Sequence, residues 1–167
     1  MLIRTEEDGD RIGVYALHAA AFETPAEAEL VEALRARAHP VLSLVAEAKG
    51  KLVGHILFSP VTLPEHPDRQ IMGLAPMAVA PGHQRRGIGS ALVRAGLDRC
   101  RELGFGAVVV LGHPEYYPRF GFQPASRFGL GCPYDVPDEV FMALELRPGY
   151  LHGVSGTIAY HAAFDDL

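Results

Sequence analysis

"VAPGHQRRGIGSALV", residues 79–93, leads from an apolar strand into the most regular helical pattern of the chain. Upstream, QIMGLAPMAVA (70–80) is apolar enough for a central strand, although Pro76 lies inside it. Proline cannot donate to a ladder, so a bulge or a break in pairing is expected within 74–78. Pro81-Gly82 makes a turn, Arg85 and Arg86 stand against Gly87 and Gly89, and a helix follows over 88–103. At about 100° per residue, Ile88, Leu92, Val93, Leu97, Cys100 and Leu103 share one half of its wheel. Gly104 terminates it, and AVVVLG (107–112) is the β-branched run of a buried strand. Strand, glycine-rich turn and helix together form the layout of a phosphate cradle. The first amides of a helix have no partner within it, and glycines let a ligand approach them closely.

Two nucleotide motifs fail against this stretch. Gly82 and Gly87 have the gap of a Walker A loop, but Ile88-Gly89 stands where Lys-Ser/Thr is required. The dinucleotide fingerprint lacks its third glycine, because Leu92 holds that position. Glycine spacing alone leaves two readings open, a phosphate cradle and an ordinary turn with solvated arginines.

Outward from the turn, the chain reads as a mixed α/β protein in the order βααβββαβαβ. MLIRT opens as a strand, and residues 10–22 carry Ile12, Tyr15, Ala16, Ala19 and Phe22 at helical spacing. In the next helix, Thr24 is expected to cap, Pro25 to occupy the first turn and Glu27 to complete a capping box. Leu30, Val31 and Leu34 form its apolar face. VLSLVAEA (41–48) and KLVGHILFSPVTL (51–63) flank Lys49-Gly50 as a hairpin. PEYYPRFGF reads as a short helix or turn, and VFMALEL (140–146) as a further strand.

No linker, repeat or low-complexity tract divides the 167 residues, so a single domain over 1–167 is expected. No apolar run reaches the roughly 18–20 residues that span a bilayer. The N-terminus lacks the layout of a signal peptide, so a cytoplasmic location and no membrane partner are expected. The net charge of −5 and a single basic pair argue against nucleic acid as a partner. Cys100 reads as a buried apolar residue, Cys132 as a loop residue, and scattered histidines give no metal pattern.

The pattern Val79-x-Pro81-x-x-Gln84-x-x-Gly87-x-Gly89 resembles the acyl-CoA-binding motif of the GNAT superfamily of N-acetyltransferases. Tyr117-Pro118-Arg119-Phe120-Gly121-Phe122 is similar to that family's Y-x-x-x-G-F segment. GHPEYYPRFGF, VPDEVFMALEL and GVSGTIAY extend the resemblance over the whole chain, toward the small bacterial YhbS-like branch. The resemblance implies a mostly antiparallel central sheet with helices on both faces. Strands 70–79 and 107–112 would splay apart to admit pantetheine.

It further implies acetyl-CoA or coenzyme A as the cofactor and N-acetyl transfer to a small-molecule or peptide amine in a ternary complex. Gln84, Arg85, Arg86, Gly87, Ile88, Gly89 and Ser90 would hold the pyrophosphate, and Met77, Ala78 and Val79 the pantetheine and thioester. Tyr117 matches the family's general acid, with Tyr116 the runner-up. For the general base, strand 70–80 offers no glutamate, which leaves His113 first, then His55, Glu139 or a water chain. Glu23, Glu27 and Glu29 lie near the first connection, which borders the acceptor cleft in similar folds. A catalytically silent acyl-CoA-binding module, as monomer or homodimer, is the alternative reading.

Overall fold

The computed structural model describes residues 1–166. Lys49 and Gly50 both take positive φ, 53° and 77°, which matches the right-handed twist of the strands they join. They fold β2 (Leu42–Ala48) directly back onto β3 (Lys51–Val61), after β1 (Leu2–Thr5), α1 (Arg11–Ala21) and α2 (Ala26–Arg37). The chain continues through β4 (Ile71–Val79), α3 (Ile88–Glu102) and β5 (Ala107–Leu111). Short strands β6 (Gln123–Pro124) and β7 (Leu130–Gly131) precede β8 (Phe141–Glu145) and β9 (Gly156–Thr157). Seven strands form one sheet in the order β1-β2-β3-β4-β5-β8-β6, and β7 pairs with β9 separately. Within the large sheet β4 and β5 are the parallel neighbours, and α3 supplies the crossover that parallel pairing needs.

Period-two alternation sorts the sheet into two faces. Leu44, Ile56 and Phe58 face Leu92, Val93 and Leu97 of α3. Val45 and Leu57 face the other way, onto Val14 of α1 and Leu30, Val31 and Leu34 of α2. The sheet is thus covered by helices on both sides.

Strand β4 is irregular at two points. Ile56 pairs with Met77 and Phe58 with Leu74, so Leu57 alone opposes both Ala75 and Pro76. Pro76 has no N–H to give the ladder, and the extra residue forms a bulge there. On its other edge β4 pairs with β5 only from Ile71–Ala107 to Gly73–Val109. Beyond Gly73 the two strands part.

Three local expectations are corrected. The buried face of α1 is Val14, Leu17 and His18, whereas Ile12 is 86% exposed and Ala16 and Ala19 are also outside. His18 has a hydrogen-bonding partner in the core, which turns the helix away from the face that hydropathy alone selects. At α2, Pro25 precedes the helix, and Thr24 Oγ1 accepts from the Ala26 amide at 3.3 Å. The capping box does not close, because the Glu27 carboxylate is turned inward. Leu103, placed on the apolar face of α3, lies past its end and is 53% exposed.

Candidate active site

The turn after β4 is fixed by backbone conformation before any side chain is considered. Gln84 Nε2 donates to the Val79 carbonyl at 3.2 Å, tying the turn to the last residue of β4. Arg85 and Gly87 both have positive φ, 63° and 82°. Such a conformation is routine for glycine, and at Gly87 it directs the chain into α3. The first helical bond joins the Ala91 amide to the Gly87 carbonyl. The amides of Ile88, Gly89 and Ser90 therefore point out of the helix N-terminus without a backbone acceptor.

These amides border a cleft of about 650 Å³. Met77 and Val79 line it from β4, and Gln84, Arg85 and the first turn of α3 close one end. The far wall comes from the segment after β5: His113, Tyr116, Tyr117 and Arg119. Tyr116 and Ser90 hydroxyls meet at 3.0 Å and tie the two walls together. Arg119 lies over the Tyr116 ring, 4.4 Å from its centroid, and its Nε donates to the Tyr116 carbonyl at 2.9 Å.

Tyr117 is held more tightly than its neighbour. It opens a single helical turn, Tyr117–Phe120, and is only 7% exposed. Tyr116 and Phe122 meet its ring edge-on, with centroids 5.0 and 5.7 Å away. On its remaining side lies Gly112, where a Cβ would collide with the ring. Burial, with Tyr116 beside it, pushes the phenol up to about 12, so the hydroxyl keeps its proton at neutral pH.

Of the residues that the sequence marks as cofactor-binding, Met77, Val79, Gln84, Arg85, Gly87, Ile88, Gly89 and Ser90 line this cleft, together with Tyr117 and His113. Two do not. The Ala78 side chain is buried on the opposite face of the sheet, across from His55. Arg86 is exposed and points outside the cleft. His55 is also on that opposite face, and Glu139 is exposed on the turn Asp138–Val140. Neither joins His113. His83, Arg119 and Gly112 escaped the sequence reading. Arg119 stands three residues after Tyr116, a spacing that brings side chains onto one side of a helical turn. Gly112 gave no local signal, because its role is to make room for a ring five residues later.

The sequence model of the Acetyltransferase (GNAT) family matches residues 11–122. The chain belongs to the GNAT acetyltransferase family. It is 40% identical over 166 residues to YhbS of Escherichia coli strain K12, an uncharacterised N-acetyltransferase, covering 99% of both chains. Among solved structures, E. coli YhbS in complex with CoA matches with a TM-score of 0.92 at 39% identity, over 98% of this chain and 91% of that one. A GNAT family acetyltransferase from Brucella melitensis in complex with acetyl-CoA matches with a TM-score of 0.81 at 38% identity, over 98% and 97%. This chain has the fold of these GNAT proteins.

Proposed function

We propose that this acetyltransferase is one domain that moves an acetyl group from acetyl-CoA to a primary amine. The amine attacks the thioester directly while both are bound. The observation that carries the reading is the row of three free amides, Ile88 to Ser90, at the head of a cleft that runs along β4 to Tyr117. Pyrophosphate suits those amides, since it meets unpaired N–H groups and the positive end of the α3 dipole together. Arg85 adds charge from inside the cleft. The apolar wall of Met77 and Val79 suits pantetheine, which brings the thioester beside the Ala75–Pro76 bulge, between Ala78 and Tyr117.

Attack of the amine on the thioester carbonyl forms the C–N bond and expels a thiolate. Tyr117, protonated at neutral pH, donates a proton to it, and His113 stands on the same wall. The donor character of the cleft supports this over a silent binding module, which has no use for a phenol buried against Gly112 and Phe122. A small-molecule or peptide amine, a monomer or homodimer and a cytoplasmic setting complete the proposal. Among the described residues no helix is long and apolar enough to cross a membrane.

The test pairs calorimetry with turnover. Wild type should bind acetyl-CoA, and free thiol should be released on addition of one or more members of a primary-amine panel. Binding without thiol release for any amine supports the silent module instead.

A further inference from the structure

The face of the sheet turned away from the cleft carries polar groups that this reaction has not used. Arg35 holds Glu6 by two nitrogens, at 2.5 and 3.2 Å. The Ser43 hydroxyl donates to Glu6 Oε1 at 2.8 Å and lies 2.7 Å from His55 Nε2. His55 Nδ1 in turn lies 2.8 Å from His18 Nε2. The hydroxyl proton is committed to Glu6, so His55 Nε2–H must donate to Ser43, and His55 Nδ1 must accept from His18 Nε2–H. Burial keeps both imidazoles neutral, with the ordinary value of His18 pushed down to about 4. His18 Nδ1 is left as a bare lone pair, on a residue with no solvent exposure and with no partner among the described residues. Glu27 Oε2 is likewise buried and unpartnered.

Helix geometry puts these two residues on one rung of the α1–α2 pair. Val14 of α1 and Val31 of α2 share one cluster with Val45. One turn forward along α1 and one turn back along α2, His18 comes to stand across from Glu27. That rung is the last before the turn between the helices. Helix α1 also travels along β3: Gly13 lies against Leu52, and His18 reaches His55. Its C-terminal end therefore arrives over the stretch of β3 opposite the Ala75–Pro76 bulge, where β4 has parted from β5. Ala78, opposite His55, projects on this same face.

Buried acceptors are normally satisfied, and one donor group set between these two would serve both. A hydroxyl offers one hydrogen and a water two, both without charge. A primary ammonium offers three, and its charge suits the carboxylate. We propose that Glu27 and His18 seat the primary ammonium of the acceptor, and that Glu27 Oε2 takes the proton whose loss frees the nitrogen for attack. This rests on the acetyl-transfer reading above. One ammonium proton passes to Glu27, and the nitrogen lone pair forms the C–N bond at the thioester carbonyl. The C–S bond breaks, and the thiolate leaves with a proton from Tyr117. The second N–H proton lost by the nitrogen is returned to Tyr117 through solvent. The products are the amide, free thiol and one proton on Glu27, which returns to water.

The experiment uses coenzyme A-saturated protein labelled with ¹⁵N-histidine, titrated with n-butylammonium chloride. The unprotonated Nδ1 resonance of His18 should shift with n-butylammonium and stay fixed with n-butanol or tetramethylammonium. In Glu27→Gln, a near-isosteric change, the response should be lost. With the best amine of the panel, Glu27→Gln should lower kcat/KM for the amine by about 10²-fold and leave the KM for acetyl-CoA unchanged. Its rate should keep rising with pH, because only solution deprotonation then supplies free amine. An unmoved His18 resonance, or wild-type kcat/KM in Glu27→Gln, overturns the assignment while acetyl transfer stands. If wild type binds no acetyl-CoA and releases no thiol, the proposed function fails instead. The n-butylammonium titration of the free protein still decides whether the pair holds an amine.

Discussion

On its α3 side, β4 looks onto the amides of Ile88, Gly89 and Ser90 and onto Arg85 and Arg119, all of them hydrogen-bond donors. On its α1–α2 side it looks onto a chain of polar groups that ends in two acceptors, His18 Nδ1 and Glu27 Oε2. The first set is open to solvent and built largely from backbone. The second is buried and built from side chains contributed by four elements. A polyanionic carrier fits the donor face and a cationic nucleophile the acceptor face. In the proposed reaction the two meet at the gap that opens past Gly73.

The sharpest way to break this contrast is to titrate the buried side. His18 is neutral when folded, with its ordinary value of 6.5 pushed down to about 4 by burial and by the charge of Arg35. His55 also faces it, with Glu6 behind His55 and Ser43. As pH falls below 6.5 the unfolded chain takes up a proton that the folded protein refuses, so stability drops until about pH 4. The loss should be roughly 3 kcal/mol for this residue. Urea unfolding at pH 7 and near pH 4.5 measures it. His18→Gln, which keeps an N–H for His55 but does not titrate, should show the shallower dependence. Equal slopes would mean that His18 is solvated.

On the open side, Tyr117→Phe should lower kcat by about 10²-fold or more while acetyl-CoA affinity barely changes. Thiol-release kinetics and calorimetry read the two separately. A mutant as fast as wild type removes Tyr117 from proton transfer and directs attention to Tyr116 or His113.

Gly112→Ala sharpens the same point from beneath. Its new Cβ enters space held by the Tyr117 ring, so the ring or the end of β5 must move. A loss of about 2 kcal/mol is expected, within the usual range for overpacking, with a fall in kcat beside it. Lost stability at full kcat would show that the ring's position does not matter to turnover.

The smallest effect belongs to the cradle. Gly89 has room for a Cβ, with Tyr116 Oη at 3.4 Å and the Met77 methyl at 3.6 Å, so Gly89→Val should fold. Its branched side chain stands where the phosphate approaches the amides, and acetyl-CoA affinity should fall about tenfold, or roughly 1.4 kcal/mol. Unchanged affinity in calorimetry would move the pyrophosphate elsewhere.

Residues 70–93 alone determined the strand, the turn, the start of α3 and the cluster of free amides. Each of these follows from local chemistry: a proline and a glycine for the turn, a glycine able to take φ of 82°, and apolar residues at helical spacing. Pro76 likewise announced the bulge, because a missing N–H is a property of the residue and not of its surroundings. Tertiary structure decided the rest. It set which face of α1 is buried, since His18 belongs in the core only when His55, thirty-seven residues away, reaches it. It turned Glu27 from a capping partner into an inward carboxylate, and sent Ala78 and Met77 to opposite faces of one strand. The physical reason is the same throughout: a short-range motif needs only its own backbone, whereas a buried polar group is stable only where distant chain segments deliver its partner.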